Sequence, residues 1–110
     1  MTPEHLKAPL TPEPIALSLG SNVGDRLEYL RQGLFGLALH PQLEVTSYSQ
    51  IWETEYVGPG RQDPYLNVVC LGRTDLAPAA LLAVAKGLEQ RLGRAPEGHM
   101  LPRTLDVDIL

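Results

Sequence analysis

The chain carries a single cysteine, Cys70, in 110 residues, which excludes an internal disulfide and fits a reducing compartment. It has no surplus of cationic side chains: nine Lys and Arg stand against 13 Asp and Glu, for a formal net charge of −4. A pI near 5.2 argues against a nucleic-acid binder, which needs a basic face. Any phosphate bound here therefore requires a local cationic patch or a metal ion. No apolar run approaches the roughly 20 residues of a membrane span. No basic stretch followed by an apolar one opens the chain, so no secretion signal is read and a cytoplasmic location is expected. Internal repeats and low-complexity runs are also lacking.

What is present is an ordinary apolar fraction of 44 % and a charged fraction of 20 %, in a length that makes one small domain. Residues 1–14 hold Pro3, Pro9, Pro12 and Pro14 among polar neighbours and are expected to form a disordered tail, leaving 15–110 as the domain. Ile15 to Leu19 alternates like a half-buried strand and stops at Gly20-Ser-Asn22. Asn22 and Asp25 compete to cap a helix that runs to about Leu39, with Leu27, Leu30, Leu34 and Leu37 on one stripe. Glu44 to Glu55, rich in Val, Thr, Tyr, Ile and Trp, reads as one second strand. The Gly- and Pro-rich segment from Tyr56 to Pro64 is a loop, and Tyr65 to Arg73 a third strand. Asp75 and Pro78 open a second helix with a stripe of Leu81, Ala85, Leu88 and Leu92, which Gly93 closes.

The chain ends on Arg103-Thr-Leu-Asp-Val-Asp-Ile-Leu110. A strand alternates faces, so Asp106 and Asp108 point one way while Leu105, Val107 and Ile109 point the other. Neighbouring like charges repel, and a packed core has no use for them. A hard divalent cation such as Mg²⁺ does, because it takes carboxylate oxygens and shares them with substrate phosphates. The alternative is a solvated face on an edge strand.

The element order βαββαβ predicts an α+β ferredoxin-like sandwich, a four-stranded antiparallel sheet with two helices on one face. The helix-facing positions are then Ile15, Leu17, Leu19, Leu66, Val68, Cys70, Leu105, Val107 and Ile109. Ser18, Tyr65, Asn67, Asp106 and Asp108 share the opposite face, where an aromatic, an amide and two acids replace a second apolar layer. That face is the candidate site.

Several runs carry a resemblance: Leu17-Ser-Leu-Gly-Ser-Asn-Val-Gly-Asp25, Ile51-Trp-Glu-Thr-Glu-Tyr-Val-Gly58, Asp63-Pro-Tyr-Leu-Asn67, Leu88-Glu-Gln-Arg-Leu-Gly-Arg94 and Pro102-Arg-Thr-Leu-Asp-Val-Asp-Ile-Leu110. In this order they resemble the 6-hydroxymethyl-7,8-dihydropterin pyrophosphokinases of folate biosynthesis. The resemblance implies a βαββαβ core and transfer of pyrophosphate from ATP to the pterin hydroxymethyl group, with release of AMP. Asp106 and Asp108 then resemble the ligands of two Mg²⁺ ions held against the ATP phosphates. Tyr65 resembles one aromatic wall of the pterin site and Asn67 the amide that reads the ring's edge, the alternative being a surface Tyr beside a turn Asn. Thr54 and Val57 match positions that touch the pterin, although Thr54 also fits a plain strand end. Glu55 stands where many members have Pro. The Gly20-Ser-Asn22 turn is placed to orient the pterin loop.

Arg103 resembles the arginine on the transferring phosphates and Arg94 an arginine of the catalytic loop, roles that suit a planar fork that stays charged. Lys86 and Glu89 match a helix face that meets the nucleotide, or else form a solvent-side ion pair three residues apart. The loop from Arg94 to Arg103 departs from the family pattern, with His99 and Met100 in place of Arg and Trp, and the family's C-terminal extension is not part of this chain. The chain is expected to use ATP and a reduced pterin as small-molecule partners, with no nucleic acid and no membrane. Two other readings remain. One is a non-catalytic relative that keeps the fold and binds pterin or nucleotide. The other is a small module that oligomerises through the open sheet face or the final strand, with Trp52 or Tyr48 buried between subunits.

Overall fold

The computed structural model describes residues 12–93 and 104–110. Most of the expected tail (1–11), together with Arg94, His99, Met100 and Arg103, lies outside the described residues. Seven elements follow in order: β1 (Glu13–Ser21), α1 (Arg26–Leu39), β2 (Leu43–Tyr48), β3 (Trp52–Thr54), β4 (Tyr65–Thr74), α2 (Pro78–Arg91) and β5 (Asp106–Ile109). They form an α+β structure, two helices and one open antiparallel sheet of five strands ordered β2-β4-β1-β5, with β3 also on β4. β1 starts two residues before the expected Ile15, because Glu13 and Pro14 pair with Thr74 and Arg73. A proline is tolerated so close to a strand's first residue.

The single second strand expected from Glu44 to Glu55 is two strands. Val45 pairs with Gly72 but Ser47 with Leu71, so Thr46 is an extra residue, and its hydroxyl donates to Leu71 O at 3.1 Å. Tyr48 pairs with Cys70 and Trp52 with Asn67, four steps along one chain against three along the other, so a second residue is extra between them. Ser49 fills this gap: its N–H donates to Val69 O at 2.8 Å and its hydroxyl accepts from Val69 N at 2.9 Å. Each extra residue exchanges the two faces of a strand, and two of them cancel. Gly72 permits the first bulge, because a Cβ there would collide with the Glu44 carbonyl.

Asp25 caps α1, its carboxylate accepting from Glu28 N at 3.2 Å. Asn22, the competing candidate, is buried and serves another purpose described below. Leu30 and Leu37 are buried and Leu34 is partly so, but Leu27 is 55 % exposed and does not belong to the core stripe. α1 meets the sheet closely at Gly33 instead, where a Cβ would lie 2.9 Å from Leu19 Cδ2 and 3.1 Å from Leu105 Cδ2. α2 has Pro78 in its first turn and Ala77 as N-cap without a side-chain cap bond, so Asp75 does not open it. Proline suits that turn because its missing donor would have no intrahelical partner there. Leu81, Ala85 and Leu88 are buried, and so is Glu89.

Leu17, Leu19, Val68, Cys70, Leu105 and Val107 from one sheet face make a single core with the buried residues of both helices. Each fully buried Leu or Val contributes about 1.5–3 kcal/mol. Ile109, expected on this face, is 39 % exposed near the end of the outer strand. Burial pushes the Cys70 thiol above its ordinary pKa, so it is packing material rather than a reactive group. No helix among the described residues is long and apolar enough to cross a membrane.

Candidate active site on the open sheet face

Residues paired directly across an antiparallel sheet share a face. Trp52 pairs with Asn67, Asn67 with Gly20, and Gly20 with Asp106, so these four form one row across β3, β4, β1 and β5. Asp108, Ser18 and Val69 make the adjacent row, and Tyr65 and Thr54 lie on the other side of the first. All occupy the face opposite Leu17, Leu19 and Val68. With strands about 4.8 Å apart, the Asn67 and Asp106 backbones are separated by two strand spacings, with only the bare Cα of Gly20 between.

The Asn67 amide is held by what surrounds its nitrogen. Nδ2 donates to Thr54 Oγ1 at 2.9 Å, and lies 3.3 Å from Trp52 O and 3.5 Å from Tyr65 O. Three oxygens around one end of an amide identify that end as NH₂, so the carbonyl Oδ1 is the end left to face the row. Oδ1 would be 3.4 Å, and Tyr65 Cδ1 3.1 Å, from a Cβ built on Gly20. Thr54, Tyr65, Asn67 and Gly20 are thus one cluster, made at the point where β3 joins β4.

The loop between β3 and β4 is tied to the start of α1. Asn22 Nδ2 donates to Gln62 Oε1 at 2.8 Å and to Asp63 O at 3.2 Å. Arg26 Nη1 donates to Glu53 Oε2 at 2.9 Å and to Pro64 O at 2.8 Å. The turn expected at Gly20-Ser-Asn22 is not one: Gly20 and Ser21 are the last paired residues of β1, and Asn22, the next residue, reaches the loop. Sequence reasoning did not single out Arg26; nothing in its local pattern distinguishes it from any first-turn arginine. Val57 in the same loop is 93 % exposed and stands apart from the cluster.

Asp106 is half-buried and Asp108 exposed, at register positions facing Gly20 and Ser18. Among the described residues no group of three or more His, Cys, Asp and Glu gathers as a metal cage. Two carboxylates on one face still suit Mg²⁺, which prefers one or two protein carboxylates plus phosphate and water oxygens. The donor set fits that ion.

Lys86 and Glu89 do pair, Nζ to Oε1 at 3.6 Å, but not as a solvent-side pair: the Lys86 side chain is 55 % exposed and that of Glu89 only 3 %. Glu89 Oε2 accepts the backbone N–H of Val107 at 2.8 Å. Its place in the helical stripe four residues after Ala85 was the available signal for burial; its polar type concealed it. Gly20, inside an otherwise apolar strand, carried the ordinary sign of close backbone approach. Arg94 and Arg103, the two expected phosphate contacts, lie outside the described residues.

Comparison with known proteins agrees with the motifs. The family model for 7,8-dihydro-6-hydroxymethylpterin-pyrophosphokinase matches residues 16–110. The 2-amino-4-hydroxy-6-hydroxymethyldihydropteridine pyrophosphokinase of Bacillus subtilis is 44 % identical over 94 residues, which cover 86 % of this chain and 56 % of that one. The protein of the same name from Aquifex aeolicus is 36 % identical over 96 residues, covering 87 % and 59 %. The folate synthesis bifunctional protein of Arabidopsis thaliana is 40 % identical over 99 residues, covering 89 % of this chain and 20 % of its own length. The chain thus spans little more than half of the two single-function relatives. With a family match that runs from the first core strand to the acids of β5, the chain belongs to the 7,8-dihydro-6-hydroxymethylpterin-pyrophosphokinase family.

Proposed function

We propose that the open sheet face is where pyrophosphate passes from ATP to the hydroxymethyl group of 6-hydroxymethyl-7,8-dihydropterin in folate synthesis. In this reading the pterin hydroxyl oxygen bonds to the β-phosphorus, the bond from that phosphorus to the α,β-bridging oxygen breaks, and AMP leaves while the hydroxyl proton is released. The observation that carries the proposal is the row Asn67–Gly20–Asp106. It sets an amide that reads a heterocycle two strands from a carboxylate that serves phosphate, over a floor with no side chain.

Tyr65 forms one wall for the pterin, while Asn67, oriented by Thr54, offers its carbonyl oxygen to a ring N–H. Val57 meets the pterin only if its loop folds over the face. Asp106 and Asp108 hold Mg²⁺, two ions in the full reading, which when bound neutralises the triphosphate and polarises the β-phosphorus. Lys86 lies on the nucleotide side, and Arg94 and Arg103 steady the phosphate charge. The same reading takes β2 and β3 as one interrupted strand of a ferredoxin-like βαββαβ sandwich, a single domain from about residue 15 to 110, working in the cytoplasm.

The test is AMP release from ATP and Mg²⁺ with and without 6-hydroxymethyl-7,8-dihydropterin. Pterin-dependent AMP that falls by about 10²-fold or more in both Asp106→Ala and Asp108→Ala is expected, the scale of losing a group that stabilises transition-state charge. A folded chain that releases no AMP, or variants that match the parent, would overturn the proposal.

A further inference from the structure

β5 is an outer strand. It pairs with β1 through the register Asp106–Gly20, Val107–Leu19 and Asp108–Ser18, and Leu110 N donates to Ala16 O at 2.9 Å. In an antiparallel pair successive N–H groups point alternately toward and away from the partner. With Leu110 directed at β1, Asp108 and Asp106 are directed the same way, and the Val107 N–H points out of the sheet edge. That donor is met by Glu89 of α2, whose Oε2 lies 2.8 Å away. The bond is buried, the Glu89 side chain is 3 % exposed, and its other oxygen is 3.6 Å from Lys86 Nζ.

The bonded amide sits between the two acids, so one carboxylate secures the backbone from which both Asp106 and Asp108 project. We infer that Glu89 is a positioning residue for the metal-binding pair, acting through the Val107 N–H rather than by touching the nucleotide. This inference rests on the reading of Asp106 and Asp108 as Mg²⁺ ligands. A carboxylate is costly to bury without partners, and the partners here include a strand amide and a lysine ammonium. Among the described residues β5 pairs with one strand, β1; Glu89 adds a hold from the helix layer. The required property is an acceptor at Oε2, which glutamine retains and alanine lacks.

The experiment compares Glu89→Gln and Glu89→Ala with the unaltered chain, with Asp106→Asn as reference. Two readouts apply: the affinity for Mg²⁺ with a non-hydrolysable ATP analogue, and hydrogen exchange at the Val107 amide. Glu89→Ala is expected to weaken binding by about tenfold or more, the usual cost of removing a group that orients a metal ligand, and to speed Val107 exchange. Glu89→Gln should keep binding within about threefold and keep the amide protected, a rescue that loss of charge alone would not give. Wild-type affinity in a folded Glu89→Ala, or Glu89→Gln as weak as Glu89→Ala, would overturn the positioning role while leaving the metal reading in place. Unchanged affinity in Asp106→Asn, or no saturable binding by the parent, would instead overturn the metal reading and this use of Glu89 with it.

Discussion

Gly20 and Tyr65 meet across the β1–β4 pair so closely that one methyl group on Gly20 would stand 3.1 Å from the Tyr65 ring. No positive φ requires glycine at this position; its bare Cα leaves room for the Tyr65 ring. A side chain here would make the Tyr65 ring give by a few tenths of an ångström and would touch Asn67 Oδ1 at 3.4 Å.

Gly20→Ala is therefore expected to weaken pterin binding by about tenfold, equivalent to about 1.4 kcal/mol, with the melting temperature nearly unchanged because the ring's edge can shift. Fluorescence titration with the dihydropterin and a melt of the same sample check both halves. Unchanged affinity would show that the ring's placement does not govern the site.

Thr54→Val removes the 2.9 Å acceptor that holds the Asn67 amide while keeping the side chain's shape. A net hydrogen bond contributes about 0.5–1.5 kcal/mol, so pterin affinity should fall several-fold. Thr54→Ser should restore most of it, as measured by isothermal titration.

Two helix glycines should respond in opposite directions to the same substitution. Gly33→Ala places a Cβ 2.9 Å from Leu19 Cδ2 and 3.1 Å from Leu105 Cδ2, and overpacking of a core costs about 1–3 kcal/mol. Gly87→Ala in α2 meets nothing nearer than Arg91 Nη1 at 3.8 Å and should gain about 0.5–1 kcal/mol from helix propensity. Urea midpoints of the two variants test the contrast.

The Glu28 carboxyl is held down to about 2 from 4.5, first by its hydrogen bond from Arg31, whose Nε lies 2.9 Å from Oε1, and then by Gln32. A depressed folded-state pKa means that the unfolded chain binds more protons between pH 4.5 and about 2. The contribution of this group is therefore present above the unfolded pKa and lost as pH falls through that window. The pair lies at the surface, the Arg31 side chain 68 % and that of Glu28 38 % exposed, so salt screens it. An NMR titration should find the Glu28 midpoint well below other exposed glutamates, rising with added salt, and Glu28→Gln should flatten the acid limb of stability.

Much of the site was legible from consecutive residues. The alternation of Leu17 to Leu19, Tyr65 to Cys70 and Leu105 to Asp108 assigned each side chain to a face, and Tyr65, Asn67 and the two acids stand on the face it indicated. Period-2 alternation is a local property, fixed by the pleat of each strand alone. The motifs also located the family match, which begins at Ala16.

What the local pattern does not contain is the pairing between distant segments. Glu44 to Glu55 reads as one strand, yet two extra residues against β4 divide it, and only because both occur do Trp52 and Thr54 end on the open face with Asn67. Asn22 reads as a helix cap until the loop at Gln62 and Asp63 is brought beside it. Glu89 reads as a nucleotide-facing or solvent-side charge until the outward N–H of Val107 is placed 2.8 Å from it. By itself the sequence determined the faces of β1, β4 and β5, the core stripes apart from Leu27, and the family, because these depend on neighbours within a few residues. The tertiary structure alone decided register, loop anchorage and the hold on β5, because a hydrogen-bond partner many residues away exists only once the sheet has closed.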